Sequence, residues 1–232
     1  LDLAGGSAKR IIHLDGATAQ AADLAELIRI VWLTPAMDSV FRGGASERRR
    51  FFDRQVMAHI PSHGSVAARY EKAMRERNAL LERPRVDPAW AVGIEGRWAE
   101  AGSVMVANRA RVQARLQAAV DARPEGHFPK GDLSLEGAGE QAAGSGAGLI
   151  EIEEIIATQL AEGRYRDKAA GRTLTGPHRS DLSVIHRPTG APAGEASTGQ
   201  QKALLIGLIL ASARALCDDE QGPTPLILLD EA

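Results

Sequence analysis

The chain has 232 residues, of which 44% are hydrophobic and 25% charged, and its formal net charge at pH 7 is −2. These values are typical of a globular protein with one large domain or two smaller ones, and they lack the positive excess expected of a dedicated nucleic-acid-binding protein. The single cysteine, Cys217, excludes an internal disulfide framework, suits a reducing cytoplasm and is predicted to be buried. The sequence shows no signal peptide and no apolar run near the ~20 residues of a membrane span, so we expect a cytoplasmic protein without a membrane partner.

The first 36 residues have the pattern of β-strands. Residues 9–15, followed by a turn at Gly16, predict one strand of a hairpin. Residues 27–33 form a largely apolar run that a Thr-Pro pair ends, which predicts a buried strand.

The next segment has a helical pattern. Residues 46–57 and 65–81 predict two helices, each capped by the serine at its start. Residues 97–120 predict a third, longer helix, and the two prolines within residues 83–88 predict a turn before it. The apolar spacing shows no sustained heptad repeat, so these helices are not expected to form a long coiled coil.

A less regular region follows the third helix. Residues 121–148 are rich in Gly, Pro and Glu and predict a loop, with one strand pair around residues 133–135. Residues 149–161 predict an acidic amphipathic helix. Residues 182–186 alternate as a half-buried strand does, and residues 187–190 supply a turn.

Arginines occur in local clusters although the net charge is negative. The first cluster contains Arg48, Arg49, Arg50 and Arg54, and two others lie within residues 75–85 and 164–172. Phosphate contacts to a nucleic acid need only such stripes. The same arginines could instead lie on solvated helix faces or pair with nearby acids such as Asp167, and the residues alone leave both interpretations open. The three tryptophans are predicted to be core residues rather than platforms for base stacking.

Residue 197 has the features of a helix start. Ser197 can cap the helix by accepting a backbone N–H, and Gln200 can reach back to the Ser197 N–H, while Gly199 leaves the backbone open to close approach. Residues 203–211 are apolar on almost every side, which predicts a buried helix. The start of this helix can be either an ordinary cap or a site that binds a phosphate through its free N–H groups.

Residues 226–229 are a continuous apolar run that predicts a central parallel strand covered on both faces. Asp230 and Glu231 then follow at its carboxyl end, where ligands gather in open α/β sheets. An acid at this place can hold Mg²⁺, and a second acid can orient or deprotonate an attacking water. Taken alone the pattern is weak, because any buried strand can end in an acid.

Together these segments resemble the RecF family of bacterial DNA replication and repair ATPases, which is related to the SMC and ABC ATPases. The resemblance runs over nearly the whole chain, most loosely in residues 121–148. Its motifs are a basic-aromatic element at 46–53, a "Y…RNxLL" helix at 70–81, a "TLTGPHRSDL" segment at 173–182, "ASTGQQK" at 196–202 and "LLDE" at 228–231.

The resemblance implies an α/β fold, an ABC/SMC-like ATPase head with a P-loop NTPase-type sheet and an inserted helical lobe. Residues 1–36 would be strands of head lobe I, 37–172 the helical lobe II, and 173–232 the return to the head with the signature helix and Walker B strand. No G-x-x-x-x-G-K-[ST] motif occurs in the sequence. We therefore expect the family's P-loop to precede Leu1 and its last strand to follow Ala232. Such an internal fragment is expected to be inactive alone, whereas the complete protein would be a weak ATPase.

The resemblance also implies how a site would work with ATP and Mg²⁺. ATP held on the P-loop of one subunit would be closed over by the signature segment of the opposite subunit, formed by Ser197, Thr198, Gly199, Gln200 and Lys202. Asp230 would serve Mg²⁺ and Glu231 would be the catalytic residue that acts on the attacking water. His178 and Arg179 would contact a phosphate or couple the helical lobe to the nucleotide.

The implied partners are single-stranded and gapped or linear double-stranded DNA, an ATP-dependent homodimer and recombination mediator proteins. The candidate DNA contacts are Arg48, Arg49, Arg50 and Arg54, and the implied roles are recombinational repair, replication restart and SOS induction. Alternatives are another SMC-like ATPase head, a transporter nucleotide-binding domain, or a DNA- or protein-binding module without ATPase activity.

Overall fold

A computed structural model of the chain describes residues 12–19, 24, 27–219 and 222–230. Within these residues the helices are α1 Ala45–His59, α2 His63–Leu81, α3 Pro88–Ala122, α4 Ala138–Gly144, α5 Leu149–Ala170 and α6 Thr198–Cys217. The strands are β1 Ile12–Leu14, β2 Ala17–Ala19, β3 Ile30–Leu33, β4 Gly131–Glu136, β5 Asp181–His186, β6 Ala191–Pro192 and β7 Leu226–Leu229. Short 3-10 turns occupy Pro35–Met37, Pro177–Arg179 and Ala193–Glu195.

The strands form three small sheets among the described residues. β1 and β2 are an antiparallel hairpin, β3 pairs with β7 in parallel, and β4, β5 and β6 form an antiparallel sheet in that order. Asp15 and Gly16 connect the hairpin with φ angles of 49° and 82°, the left-handed region that favours glycine. The predicted hairpin is confirmed for residues 12–19, whereas residues 9–11 lie outside the described residues. The predicted strand near residues 133–135 is β4, and its partner is β5.

The β3–β7 pair differs in burial from the sequence prediction. β7 is parallel, as predicted, but it is not covered on both faces, because Leu226 is 55% exposed and Leu229 51%. Among the described residues β7 has a strand partner only in β3, so its side chains lack the layers that cover a central strand. The buried strand predicted from residue 27 is also shorter. It begins at Ile30, and Leu27 precedes it as an exposed residue.

The predicted helices are present, but two of their caps were predicted wrongly. Gly44 occupies the cap position of α1 and Ser62 that of α2, and neither helix has a side-chain cap bond. Ser65 instead donates a hydrogen bond to the carbonyl of Ser62 at 2.8 Å. The third helix begins earlier than predicted, because Asp87 caps it by accepting a bond from the Ala89 N–H at 2.9 Å.

Two large buried clusters contain side chains from different parts of α3, which has 35 residues. The first cluster joins β3, α1, α6 and the end of α3, where Val112 and Leu116 are buried. The second joins α2, α5 and the middle of α3, where Trp98 is fully buried. The domain boundaries at residues 36 and 172 stay a prediction, since the first cluster contains side chains from all three predicted parts.

Arg77 of α2 is fully buried and holds the second cluster together. Its guanidinium donates to Glu95 at 2.9 Å, to Asp167 at 2.7 Å and to the carbonyl of Leu160 at 2.6 Å. It also donates to Thr173 at 2.7 Å. Of the two interpretations of the arginine clusters, phosphate contact and pairing with acids, Arg77 therefore follows the second. Its guanidinium is fully buried and cannot reach a phosphate in solution.

Two further residues are more exposed than predicted. Trp90 is 47% exposed, and the Arg83 guanidinium lies 4.5 Å from its ring centroid, whereas the predicted burial of Trp98 is confirmed. Cys217 is exposed because it is the last residue of α6, where the neighbouring Leu216 faces the core. No helix in the described part of the chain is both long and apolar enough to cross a membrane.

We expect Arg77→Gln to lower the free energy of unfolding by about 3 kcal/mol or more, since removal of one partner leaves buried carboxylates without a counter-charge. Urea unfolding followed by circular dichroism measures the change. Arg97→Gln is the matched control, because Arg97 forms an exposed ion pair with Glu76 at 3.0 Å, and it should cost less than about 1 kcal/mol. Equal losses for the two variants would contradict this account of Arg77.

His59 makes the stability depend on pH. Burial lowers its pKa to about 4, and Arg115 and Arg29 act in the same direction. Between the ordinary value near 6.5 and about 4 the unfolded chain binds a proton that the folded chain does not, so stability falls as the pH falls through this window. Relative to His59→Gln, the wild type should lose about 3 kcal/mol more between pH 7 and 4, as measured by urea unfolding. His127→Gln, at an exposed site, should show the same pH dependence of stability as the wild type. If the difference in the free energy of unfolding between the wild type and His59→Gln does not change with pH, His59 is not the group responsible.

Candidate functional site

The start of α6 has the capping box that the sequence predicts. Ser197 Oγ accepts a hydrogen bond from the Gln200 N–H at 3.3 Å, and Gln200 Oε1 accepts one from the Ser197 N–H at 2.9 Å. Ser197, Thr198, Gly199 and Gln200 are exposed, and a Cβ added at Gly199 would meet no described atom within 4 Å. The free N–H groups of the first turn and the positive end of the helix dipole are thus open to a ligand or partner.

The following turn fixes this helix start to the protein. Gln201 is buried, and its Nε2 donates to the carbonyls of Gly194 at 3.1 Å and Ala196 at 2.7 Å. Gly194 packs so closely on the chain after β3 that a Cβ there would lie 2.6 Å from the Phe41 carbonyl oxygen. Lys202 is half-buried in the same turn. The exposed start of α6 is therefore held in place by the buried turn that follows it.

The other end of α6 lies at the start of β3. Arg29, just before β3, donates to the Leu216 carbonyl at 3.5 Å and to Asp219 at 2.9 Å. A helix of this length extends about 30 Å, whereas a four-residue strand extends about 13 Å. Since α6 ends beside Arg29 and begins near Phe41, its start projects beyond the carboxyl end of β3.

Asp230 lies where the sequence predicts, at the carboxyl end of the parallel strands. Its N–H donates to the Leu33 carbonyl at 3.0 Å, and the residue is exposed. Glu231 lies outside the described residues. Among the described residues no group of three or more His, Cys, Asp or Glu side chains is arranged to hold a metal ion, so the Mg²⁺ assignment depends on Asp230 alone there.

A cavity of about 230 Å³ opens after β3 and is lined by Thr34, Glu47, Arg50 and Arg54 among others. The Arg54 guanidinium lies 5.9 Å from the ring centroid of Trp32. Arg54 Nε is buried and has no hydrogen-bond partner among the described residues. Burial, and then the neighbouring Arg50, lower the pKa of Arg54. Two positive side chains thus share this part of the surface.

The other two arginines of the basic cluster are used within the chain. Arg48 binds Asp181 through two hydrogen bonds, Nε at 2.8 Å and Nη2 at 2.6 Å. Arg49 donates to the Ser180 carbonyl at 2.5 Å. Both contacts fix α1 to the start of β5, so these guanidiniums have a structural role in addition to any contact with DNA.

His178, in the Pro177–Arg179 turn, uses both ring nitrogens inside the protein. Its Nε2 lies 3.2 Å from the Thr173 carbonyl and therefore donates, while Nδ1 accepts from the Tyr70 hydroxyl at 2.7 Å. Burial lowers the pKa of His178, in agreement with a neutral imidazole. Arg179, the next residue, is exposed.

Arg109 of α3 holds the same turn, and sequence reasoning did not find it. It is buried, binds both oxygens of Asp53 at 2.8 and 2.9 Å, and donates to Glu140 at 3.2 Å and to the Pro177 carbonyl at 2.8 Å. Burial raises the pKa of Asp53, but interactions with His63 and Arg109 outweigh it and bring the value to about 2. The carboxylate is therefore ionised and paired at neutral pH.

With this geometry established, comparison with solved structures shows the fold: it is the mixed α/β fold of two RecF structures. The structure described as "Structure of the recombination mediator protein RecF-ATPrS in RecFOR pathway" matches with a TM-score of 0.82 and 18% identity over 96% of this chain and 60% of that chain. The corresponding RecF-ATP structure matches with a TM-score of 0.80 and 18% identity over 95% of this chain and 60% of that chain.

Sequence comparison finds relatives that match nearly the whole chain. The chain is 50% identical over 228 residues to "DNA replication and repair protein RecF" of Mesorhizobium japonicum, with 97% of this chain and 60% of the relative covered. For the RecF protein of Caulobacter vibrioides the identity is 47% over 232 residues, with 98% and 60% covered. No protein-family profile matches the chain. The chain is thus a RecF homologue over nearly its whole length, and it spans about 60% of the curated relatives that it matches.

The capping box predicts a measurable local contribution to stability. Ser197→Ala should lower the free energy of unfolding by about 1 kcal/mol, whereas Ser197→Asp should retain it, because an aspartate also caps a helix start. Ser46→Ala is the control, since this exposed serine forms no cap, and its effect should stay within about 0.5 kcal/mol. Urea unfolding of the three variants checks the order, and an Asp variant as unstable as the Ala variant would contradict the assigned bond.

Proposed function

We propose that the chain is part of a RecF-type ATPase that acts in DNA replication and repair and closes on ATP as a dimer. The homology to proteins of that name and the ABC/SMC-like fold support the proposal. The observation that carries it is the start of α6. This start is capped and exposed, has free N–H groups, and is held in place by the turn around Gln201. Such a start can bind a phosphate through these N–H groups and the positive end of the helix dipole.

The residues at the two candidate half-sites fit a nucleotide and its metal. The first turn of α6 offers backbone N–H donors and the open backbone of Gly199 to phosphate oxygens. Asp230 offers an exposed carboxylate, a ligand type that Mg²⁺ prefers, and would hold the ion, which neutralises phosphate charge when bound. Glu231 would orient the attacking water and accept its proton.

The direction of α6 supports action in trans. Its end is fixed beside Arg29 at the start of β3, and its start extends past the carboxyl end of that strand. Ser197 and Asp230 thus both lie toward the carboxyl end of the β3–β7 pair, and the start of α6 projects beyond that end, where it is open to a second subunit. Ser197, Thr198, Gly199, Gln200 and Lys202 of one subunit would then close over the nucleotide of the other.

The expected nucleic-acid partner is DNA, single-stranded or gapped and linear double-stranded. Of the basic cluster, we favour Arg50 and Arg54 as DNA contacts, because Arg48 is paired with Asp181 and Arg49 with a backbone carbonyl. Recombination mediator proteins would be further partners in recombinational repair, replication restart and SOS induction, all of which take place in the cytoplasm.

The dimer proposal is tested by sedimentation of the complete protein that contains this chain, with and without ATP and Mg²⁺. The wild type should dimerise with ATP, and Glu231→Gln should remain dimeric for longer because hydrolysis is slowed. Ser197→Arg should abolish the dimer by steric hindrance. Ser197→Asp should weaken it about tenfold or more, since a negative charge replaces a group that faces phosphate. Ser46→Arg, at an exposed position in the first turn of α1, is the matched control.

Unchanged ATP-induced dimerisation in Ser197→Arg would overturn the role of α6. A wild type that stays monomeric and binds DNA equally well without nucleotide would instead favour the binding module without ATPase activity.

A further inference from the structure

A separate cavity of about 200 Å³ lies between α4, α5 and the Pro177–Arg179 turn. Its lining includes Gln159, Thr175, Arg179 and Ser180 together with the buried Glu140. At roughly 30 Å³ for each water, this volume holds about six waters, or a phosphate group with part of its hydration. The cavity is distinct from the start of α6.

The charges around the cavity are not balanced within the described residues. Asp53 and Glu140 are bound by Arg109, and Asp181 is bound by Arg48. Arg49 has a carbonyl partner, and the Arg179 guanidinium has neither a hydrogen bond nor an ion pair among the described residues, although its backbone N–H donates to the Gly176 carbonyl at 2.8 Å. Two guanidiniums near the turn are thus without a carboxylate.

The two guanidiniums lie close enough to repel each other. Burial lowers the pKa of Arg49 most, and the positive charges of Arg109 and Arg179 act in the same direction, against the opposite effect of Asp181 and Asp53. A bound anion would relieve this repulsion, and the planar guanidinium of Arg179 suits an oxyanion because it can donate two parallel hydrogen bonds.

The cavity wall also contains a hydroxyl without a partner. Thr175 Oγ1 is buried, and no described group accepts or donates a hydrogen bond to it. A buried hydroxyl without a hydrogen-bond partner destabilises the folded state. A bound ligand that accepts this hydrogen bond would explain why the hydroxyl is there. His178 is excluded as the ligand-binding group, since both of its ring nitrogens are already hydrogen-bonded.

The turn that carries Arg179 is fixed before any ligand binds. The buried Arg109 donates to the Pro177 carbonyl at 2.8 Å, and the Tyr70 hydroxyl lies 2.7 Å from His178 Nδ1. Gly176 has a φ of 121°, a conformation that favours glycine, and a Cβ there would lie 3.0 Å from the Tyr70 hydroxyl. A preorganised turn binds a ligand without an added entropic cost of ordering.

We propose that Arg179 and Thr175 bind a phosphate group at this cavity, with Arg49 supplying a second positive charge nearby. Glu140, which also lines the cavity, does not oppose the anion strongly because its carboxylate is held by Arg109 at 3.2 Å and by the Ser180 hydroxyl at 2.5 Å. The shared chemistry is that of a phosphate, either the diester of a DNA backbone or a free phosphate group.

Titration calorimetry of the complete protein with inorganic phosphate, at constant ionic strength and without nucleotide, tests the site directly. The wild type should bind one phosphate more than Arg179→Gln, or bind it at least about tenfold more tightly. Thr175→Val should weaken binding by about threefold. Arg85→Gln, a matched change at an exposed arginine, should behave as the wild type does. Because the Arg179 side chain is exposed and unpaired, its variant should unfold at the same urea concentration as the wild type.

Equal phosphate binding by the wild type, Arg179→Gln and Arg85→Gln would overturn the proposal. A second measurement identifies the source of the phosphate. If DNA supplies it, Arg179→Gln should reduce the slope of log affinity for duplex DNA against log salt by about 0.9. An unchanged slope, together with lost phosphate binding, assigns the site to a free phosphate group. The phosphate titration contains no nucleotide and is independent of ATP-induced dimerisation, so failure of this proposal and failure of the dimer proposal can be told apart.

Discussion

The buried guanidinium of Arg109 is the interaction on which the arrangement around the candidate sites depends. One side chain binds Asp53 of α1, Glu140 of α4 and the Pro177 carbonyl of the turn before β5. Without this positive charge, the buried Glu140 would lose its ion pair, and Asp53 would be left with His63 at 3.6 Å. The placement of the basic cluster on α1 and of the turn that carries Arg179 therefore depends on a buried residue.

Features that depend on neighbours in sequence could be predicted from the sequence. The capping box at Ser197 needs only four consecutive residues, and the alternation of β5 and the hairpin turn are equally local. The burial of β7 could not be predicted in this way, because the same apolar run fits a covered strand or an exposed one until its neighbours are known. The predictions of helix caps at residues 46 and 65 were wrong for a related reason. A serine near a helix start predicts a helix more reliably than it predicts which residue begins it.

The role of Arg109 had no local signal at all. Its partners lie 56, 31 and 68 positions away along the chain, so no spacing rule connects them. The same holds for Arg77, whose partner Asp167 is 90 positions distant. Sequence reasoning left the arginine clusters open between phosphate contacts and pairing with acids. Within the first cluster the structure pairs Arg48 with Asp181, whereas Arg54 Nε has no partner among the described residues. The family resemblance, in contrast, could be stated from short ordered motifs and is supported by homology over nearly the whole chain.

The length of α3 has a mechanical consequence. A straight helix of 35 residues is about 52 Å long, and this one contributes side chains to both buried clusters without a proline after its first turn. Such a rod transmits tilt rather than absorbing it, so a rotation of about 5° at one end displaces the other by roughly 4–5 Å. The two clusters are therefore joined by one continuous helix, so a tilt of α3 would move side chains in both of them.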